Sequence, residues 1–279
     1  MRMTTLKNAL LPLAALAALP AFAATNLVQN GDFEQSSGVG ELAKTTTIAT
    51  TSAWTVGATT DGSADPFVFI VDKDADRQDQ SLHFGFPSVF TPGANKNIHV
   101  WGPQNVFGSP NPPPPPGVGF NNGFTGSSNG GFFFGADAAY ANAPISQTVS
   151  GLTAGKTYTL SFEYASAQFT DATGAYFSGW DVSLDGNNVA SVSNSVRSQG
   201  FAAWQTKSVT FSASGTSTLL NFLATGGPSG LPPFALLDGV SITEVVVPPP
   251  PVPEPATLAL MLAGGGLVVM AVRRQRRRA

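Results

Sequence analysis

Two histidines, His83 and His99, no cysteine and no Gly-x-Ser-x-Gly turn leave this 279-residue chain without the parts of acyl-transfer chemistry. Carboxylates and aromatic rings remain. Asp238 shares the parity of Phe234, Leu236, Val240 and Ile242, so strict alternation turns its carboxylate inward, where it needs a cation or several donors. A bulge at Asp238 and Gly239 would instead turn it to solvent. Asp72, Asp74 and Asp76 copy the first spacings of an EF-hand. Arg77 stands where that loop needs Gly, however, and His83 where it needs the bidentate Glu, so these acids and Asp79 read as a solvated loop. Glycoside hydrolysis asks only for two acids at the right separation in space, and nothing marks one pair out. The expectation is a protein that is not an enzyme. Trp101, Tyr176 and Trp180 lie in or beside loops with Asn and Gly neighbours, which makes them the candidate glycan-binding platforms, since aromatic rings stack on the apolar faces of pyranoses. The same rings also suit a sandwich interior, the reading given to Trp54 and Trp204.

The elements that must position these groups are strands. Tyr158, Leu160, Phe162 and Tyr164 alternate with polar residues behind a turn at 151–155, and with Ile145 to Val149 before it they read as an antiparallel hairpin. Trp180, Val182 and Leu184 run into Asp185-Gly186-Asn187-Asn188 and return through Val189 to Val192, a second hairpin. Trp204 to Phe211, a Ser214-Gly215 turn, and Leu220, Phe222 and Ala224 make a third. Phe234 to Ile242 closes the domain. Many short strands joined by Gly-rich and Asn-rich turns predict an all-β fold, an antiparallel β-sandwich of jelly-roll topology. Residues 85–131, rich in Gly, Pro and Asn and containing Pro112 to Pro116, fit no regular element. They form either a long loop, the reading adopted, or a boundary between subdomains. Phe132 to Phe134 enter the core as a strand with one ring outward.

Both ends of the chain carry targeting features. Arg2 and Lys7, an apolar run from Ala9 to Leu19, and Ala21-Phe22-Ala23 have the order of a signal peptide, giving 1–23 as the leader. The ectodomain is then 24–247, a Pro-rich linker 248–255, a transmembrane helix 256–272 and a basic cytoplasmic tail 273–279. The span is near the lower limit for crossing the hydrocarbon core, and Arg273, Arg274, Arg276, Arg277 and Arg278 hold that side in the cytoplasm. From Thr25 to Val247, 16 acids against 7 Lys and Arg give a charge of −9, beside −3 for the whole chain. Nucleic acid and anionic lipid are therefore excluded as partners of the ectodomain.

Val252, Pro253, Glu254 and Pro255, with the span and the arginines after them, resemble the three-part signal of PEP-CTERM proteins. That resemblance implies processing by an exosortase, transient anchoring in the inner membrane, and a mature form at the cell surface or outside the cell. Asn26 to Glu34, with Trp54, Gln147 to Val149, Gly151-Leu152, Gly155 to Tyr158 and Leu237 to Val240, resembles carbohydrate-binding-module and galactose-binding-like jelly rolls. In those families a structural calcium ties the first strand to the last, which the resemblance places on Glu34 and Asp238. The functional expectation is an extracellular protein that binds or organises exopolysaccharide or other envelope components through a calcium-stabilised jelly roll. Two other readings stay open, a purely structural matrix or adhesion protein without glycan binding, and a polysaccharide hydrolase.

Overall fold

A computed structural model describes residues 25–38, 40–42, 51–76, 99–103, 121–170 and 172–246, with 262, 264–265, 270 and 273–277 near the C-terminus. The leader, the VPEP motif and most of the expected span lie outside the described residues. Two compact units divide the chain, 1–245 and 246–279. In the second unit the described residues 262, 264–265, 270 and 273–275 are helical. Among the described residues no helix is long and apolar enough to cross a membrane.

The first unit holds eleven described strands: β1 (Gly40–Glu41), β2 (Thr55–Val56), β3 (Val68–Asp72), β4 (Phe132–Asp137), β5 (Ile145–Ser150), β6 (Thr157–Gln168), β7 (Tyr176–Leu184), β8 (Asn187–Val196), β9 (Ala202–Ser212), β10 (Ser217–Gly227) and β11 (Pro233–Glu244). They form a six-stranded sheet in the order β1-β3-β4-β11-β6-β9 and a five-stranded sheet in the order β2-β5-β10-β7-β8. All pairs are antiparallel. The eight long strands from β4 to β11 thus divide as 4-11-6-9 and 5-10-7-8, the connectivity of two Greek keys folded into a jelly roll. The sandwich read from the sequence is the fold.

Two of the three expected hairpins are not hairpins. β5 pairs with β10 and β2, while β6 pairs with β11 and β9, so the turn at 151–155 carries the chain from one sheet to the other. The turn at 213–216 does the same between β9 and β10. Only β7 and β8 pair across their turn, where Asp185 (φ 49°) and Gly186 (φ 81°) supply the two left-handed residues of the favoured tight connection. Alternation fixes that a segment is a strand, but its partner is chosen by burial of the other face.

That second face explains the six-stranded sheet. Val68, Ile70, Phe134, Ala136, Ala235 and Leu237 point into the core between the sheets, against Trp180, Phe222 and Ile145. Phe69, Val71, Phe133, Ala165, Phe234 and Leu236 point the other way into a second cluster with Val100 and Phe124. Strands buried on both faces read as continuous apolar runs, as Val-Phe-Ile-Val in β3 does. Phe133 and Phe134 are both fully buried, on opposite faces, and Phe132 is the partly buried ring. The covering comes in part from described residues of the long segment, where Val100 bridges Phe169 and Phe124 packs edge-on to Phe201, and in part from β9, whose Trp204 packs on Phe133. The rest of 85–131 is largely outside the described residues.

Candidate functional site

The N-terminal segment laces onto the last strand through its own amides. Leu27 N–H donates to Ile242 O (2.9 Å), Ile242 N–H donates to Asn26 Oδ1 (3.0 Å), and Val240 N–H donates to Gly31 O (2.9 Å). Gln29 and Gln147 exchange two hydrogen bonds of 2.8 Å each. Asn30 holds the turn before Trp54 by donating to Thr51 Oγ1 and Ser52 O and accepting from Gln35 N–H. Asn26 therefore ties the N-terminal segment to the last strand, Gln147 ties it to β5, and Asn30 fixes its turn, all with neutral side chains.

Beyond this lacing lies a group of carboxylates. In β11 an extra residue between Asp238 and Ser241 makes a bulge, with Gly239 at φ 57°. The bulge exchanges faces: Val240 and Ile242 go to the central core, whereas Asp238 stays with Phe234 and Leu236 on the opposite side. The carboxylate is turned inward as parity with Phe234 and Leu236 expects, although into the second cluster's side of the sheet; the bulge is present but does not turn it to solvent. Asp238 is 0% exposed beneath residues 127–131. Its Oδ1 accepts the Gly239 N–H (2.7 Å), and its Oδ2 is buried without a hydrogen-bond partner. Burial pushes the carboxyl up to about 7, the nearby Ser127 hydroxyl and the Gly239 amide pull it down, and the Glu163 and Asp32 carboxylates add to the rise. Glu163 is the cross-strand partner of Asp238 on β6 and accepts from Ser128 Oγ (2.8 Å) and Ser127 Oγ (3.4 Å).

Glu34 meets the same loop from the other side, its Oε1 accepting the Phe132 N–H (2.7 Å) and lying against Gly130. One loop, 127–132, thus touches Glu34, Glu163 and Asp238. Glu163 was missed from sequence because its strand reads as ordinary alternation, and only the β6–β11 register sets it beside Asp238. Among the described residues no set of three or more His, Asp or Glu side chains is gathered at metal-binding spacing. The test of fit for a cation is the orphaned Asp238 Oδ2. A calcium ion accepts carboxylate and backbone oxygens together and matches an oxygen of this kind.

The expected sugar platforms require correction. Trp180 is 0% exposed and its Nε1 donates to Leu236 O (3.0 Å); Tyr176 is 3% exposed with its hydroxyl donating to Gly200 O (3.0 Å). Trp101 is 7% exposed and donates to Ala172 O (2.8 Å). All three are core rings whose polar atoms reach backbone carbonyls, so none offers a face to a sugar. Trp54, read as core, is buried and stacks on Phe33 at 5.4 Å. Trp204, also read as core, is half-buried. The acidic run departs from a solvated loop, because Asp76 is buried with Gly102 packed on its carboxylate. Burial pushes the Asp72 carboxyl up.

Two aromatic rings are exposed among the described residues, Tyr140 at 52% and, on the five-stranded sheet, Phe177, the neighbour of Tyr176. Phe177 is 47% exposed and lies across Gly227, with ring atoms 3.1 and 3.3 Å from where a Cβ there would stand. Around it the outer face of the five-stranded sheet carries Asp181, Ser191, Ser193 and Ser195 from β7 and β8, Asn221 and Thr225 from β10, and Leu219, itself 43% exposed. Ser191 Oγ donates to Asp181 Oδ1 (2.6 Å). An exposed aromatic ring on a face of hydroxyl, amide and carboxylate groups has the composition that binds sugar.

Comparison with known proteins gives two family matches. The HpiC1-like model, described as HpiC1 cyclase, matches residues 24–222, and the PEP-CTERM protein-sorting motif matches residues 251–278. No curated protein matches the chain. Among solved structures, the EclA C-terminal domain, a sugar-binding protein, is 23% identical over 35% of this chain; the match spans 64% of that domain at a TM-score of 0.28. The TmCBM61 structure in complex with β-1,4-galactotriose is 16% identical, with 79% of this chain and 99% of that one covered and a TM-score of 0.36. The N-terminal cellulose-binding domain of Cellulomonas fimi β-1,4-glucanase C is 17% identical, with 42% and 79% covered and a TM-score of 0.29.

Proposed function

The chain belongs to the HpiC1-like family and carries a PEP-CTERM sorting motif, and from that premise we propose an exported, exosortase-processed surface protein whose sandwich binds polysaccharide. The observation that carries the binding reading is Phe177, a half-exposed ring packed against Gly227 on a polar sheet face. A sugar ring would stack on its free side and exchange hydrogen bonds with Ser195, Ser193 and Thr225, the nearest hydroxyls by register. The acidic ectodomain suits a neutral glycan, and release of the tail would deliver it to the polymer outside the cell. Retention of the protein on purified exopolysaccharide tests this. Phe177→Ala should abolish retention while changing stability by less than about 0.5 kcal/mol, as for an exposed side chain. Undiminished retention would move the glycan elsewhere or leave a purely structural matrix protein.

Within the same proposal, calcium is held by Asp238 and Glu163 with Glu34 on the far side of the 127–132 loop. The ion would satisfy the orphaned Asp238 Oδ2, offset the mutual repulsion of Asp238 and Glu163, and join the first turn to the last strand in a chain without cysteine.

A second reading follows from the family's description as a cyclase. Proton-transfer cyclisation needs an acid that keeps its proton near neutral pH, and Asp137 and Asp238 are both held up to about 7. The two uses of Asp238 exclude each other, because calcium would hold the carboxylate charged. At roughly a hundred times Kd, calcium should raise Tm by about 5–10 °C in the wild type and not in Asp238→Asn. No response in the wild type would leave Asp238 protonated and favour the acid.

A further inference from the structure

At the end of the sandwich where the connections 151–156, 185–186 and 213–216 meet, a cleft of about 240 Å³ opens beside β8 and β9. Its floor is apolar. Leu152, Val189 and Phe211 line it, and the Phe211 ring stacks on the buried Tyr158 at 5.9 Å with planes 28° apart, which holds it in place at the cleft. Its rim is polar: Asp185, Asn187 and Ser214 surround the mouth. Asp185 is fixed before any ligand arrives. Its Oδ2 accepts the Thr218 hydroxyl (2.8 Å), its Oδ1 accepts the Leu219 N–H (2.8 Å), and its own N–H donates to Leu219 O (3.0 Å). Each carboxylate oxygen keeps a further lone pair for an incoming hydroxyl.

We infer that this cleft is a binding subsite for a single neutral pyranose ring, separate from the sheet face that carries Phe177. Three features decide the occupant. The volume is below the ~300–1,000 Å³ that accommodates drug-sized molecules, so the cleft seats one ring. An aromatic ring and a fixed carboxylate lining one cleft match the two sides of a pyranose, its C–H face and its equatorial hydroxyls. No Lys or Arg lines the cleft, and Asp185 repels anions, so an acidic sugar is excluded.

The inference rests on the carbohydrate reading of the protein but on other residues. Its test is titration of the full-length protein with the methyl glycosides of glucose, galactose, N-acetylglucosamine and glucuronic acid, followed by saturation-transfer NMR. At least one neutral glycoside should bind saturably and the glucuronide should not. Phe211→Ala should weaken that binding about tenfold by removing the stacking face. In a Phe177→Ala background, which removes any glycoside stacked on the sheet face, Ser214→Tyr, an exposed change that fills the mouth without touching the core, should abolish it and remains decisive if Phe211→Ala unfolds. Phe177→Ala should leave it unchanged, so loss of polymer retention with glycoside binding intact separates the two sites. Failure of all three neutral glycosides to bind Phe177→Ala, or survival of binding in the double variant Phe177→Ala, Ser214→Tyr, would overturn the inference.

Discussion

Burial governs the proton on Asp137, which sits at the end of β4 with only 1% of its surface exposed. Desolvation pushes its carboxyl from an ordinary 3.8 up to about 7, although the Ala139 and Tyr140 amides donate to its Oδ1 at 2.8 and 3.2 Å and pull the other way. The folded chain therefore keeps a proton that the unfolded chain releases near pH 4. Stability from this group is full below about pH 4 and is lost as pH rises through about 7, at roughly 1.4 kcal/mol per unit of difference between the two states. Asp137→Asn should flatten that part of the stability profile, and denaturant midpoints of the two proteins between pH 4 and 8 measure it. Parity at the same scale shows what could have been read sooner. Tyr176 shares its parity with Trp180, Val182 and Leu184, a run already legible as a core-facing strand. The outward ring had to be Phe177, one residue away, and local Asn and Gly neighbours outweighed the period that decides direction.

At the scale of elements, β11 shows why some of the site was not legible. Strict alternation across 234–242 placed Asp238 with the core residues, and the bulge at Gly239 then handed Val240 and Ile242 to the other face. A bulge adds one residue without changing the hydrophobic count, so the pattern alone does not reveal it. Glu163 entered the group only through register, a long-range property. The strands themselves were legible because each period-two run carries its own evidence, whereas the crossovers at 151–155 and 213–216 looked like hairpin turns because both are short and Gly-bearing. Gly239 is the hinge of this arrangement: φ is 57°, and a Cβ there would meet the Asn129 side chain. Gly239→Ala should cost about 1–2 kcal/mol for the left-handed backbone and more for displacing the 127–132 loop. Gly62→Ala, at φ 79° in open space, should cost only the first. Equal losses of Tm in the two variants would show that the loop does not rest on the bulge.

The whole molecule joins a jelly roll that spans most of the chain to a sorting motif at its C-terminus. Neutral lacing by Asn26 and Gln147 closes the domain where a disulfide would serve in another exported protein. Every binding role argued above presumes that the sandwich leaves the membrane. The measurement that bears on this most directly is the mass of the protein recovered from cells with and without the exosortase. The account predicts loss of the tail near Pro253 to Pro255 only where the enzyme is present, with the shortened protein at the surface or in the medium. An intact tail in both strains would contradict it and make the chain a permanently anchored membrane protein.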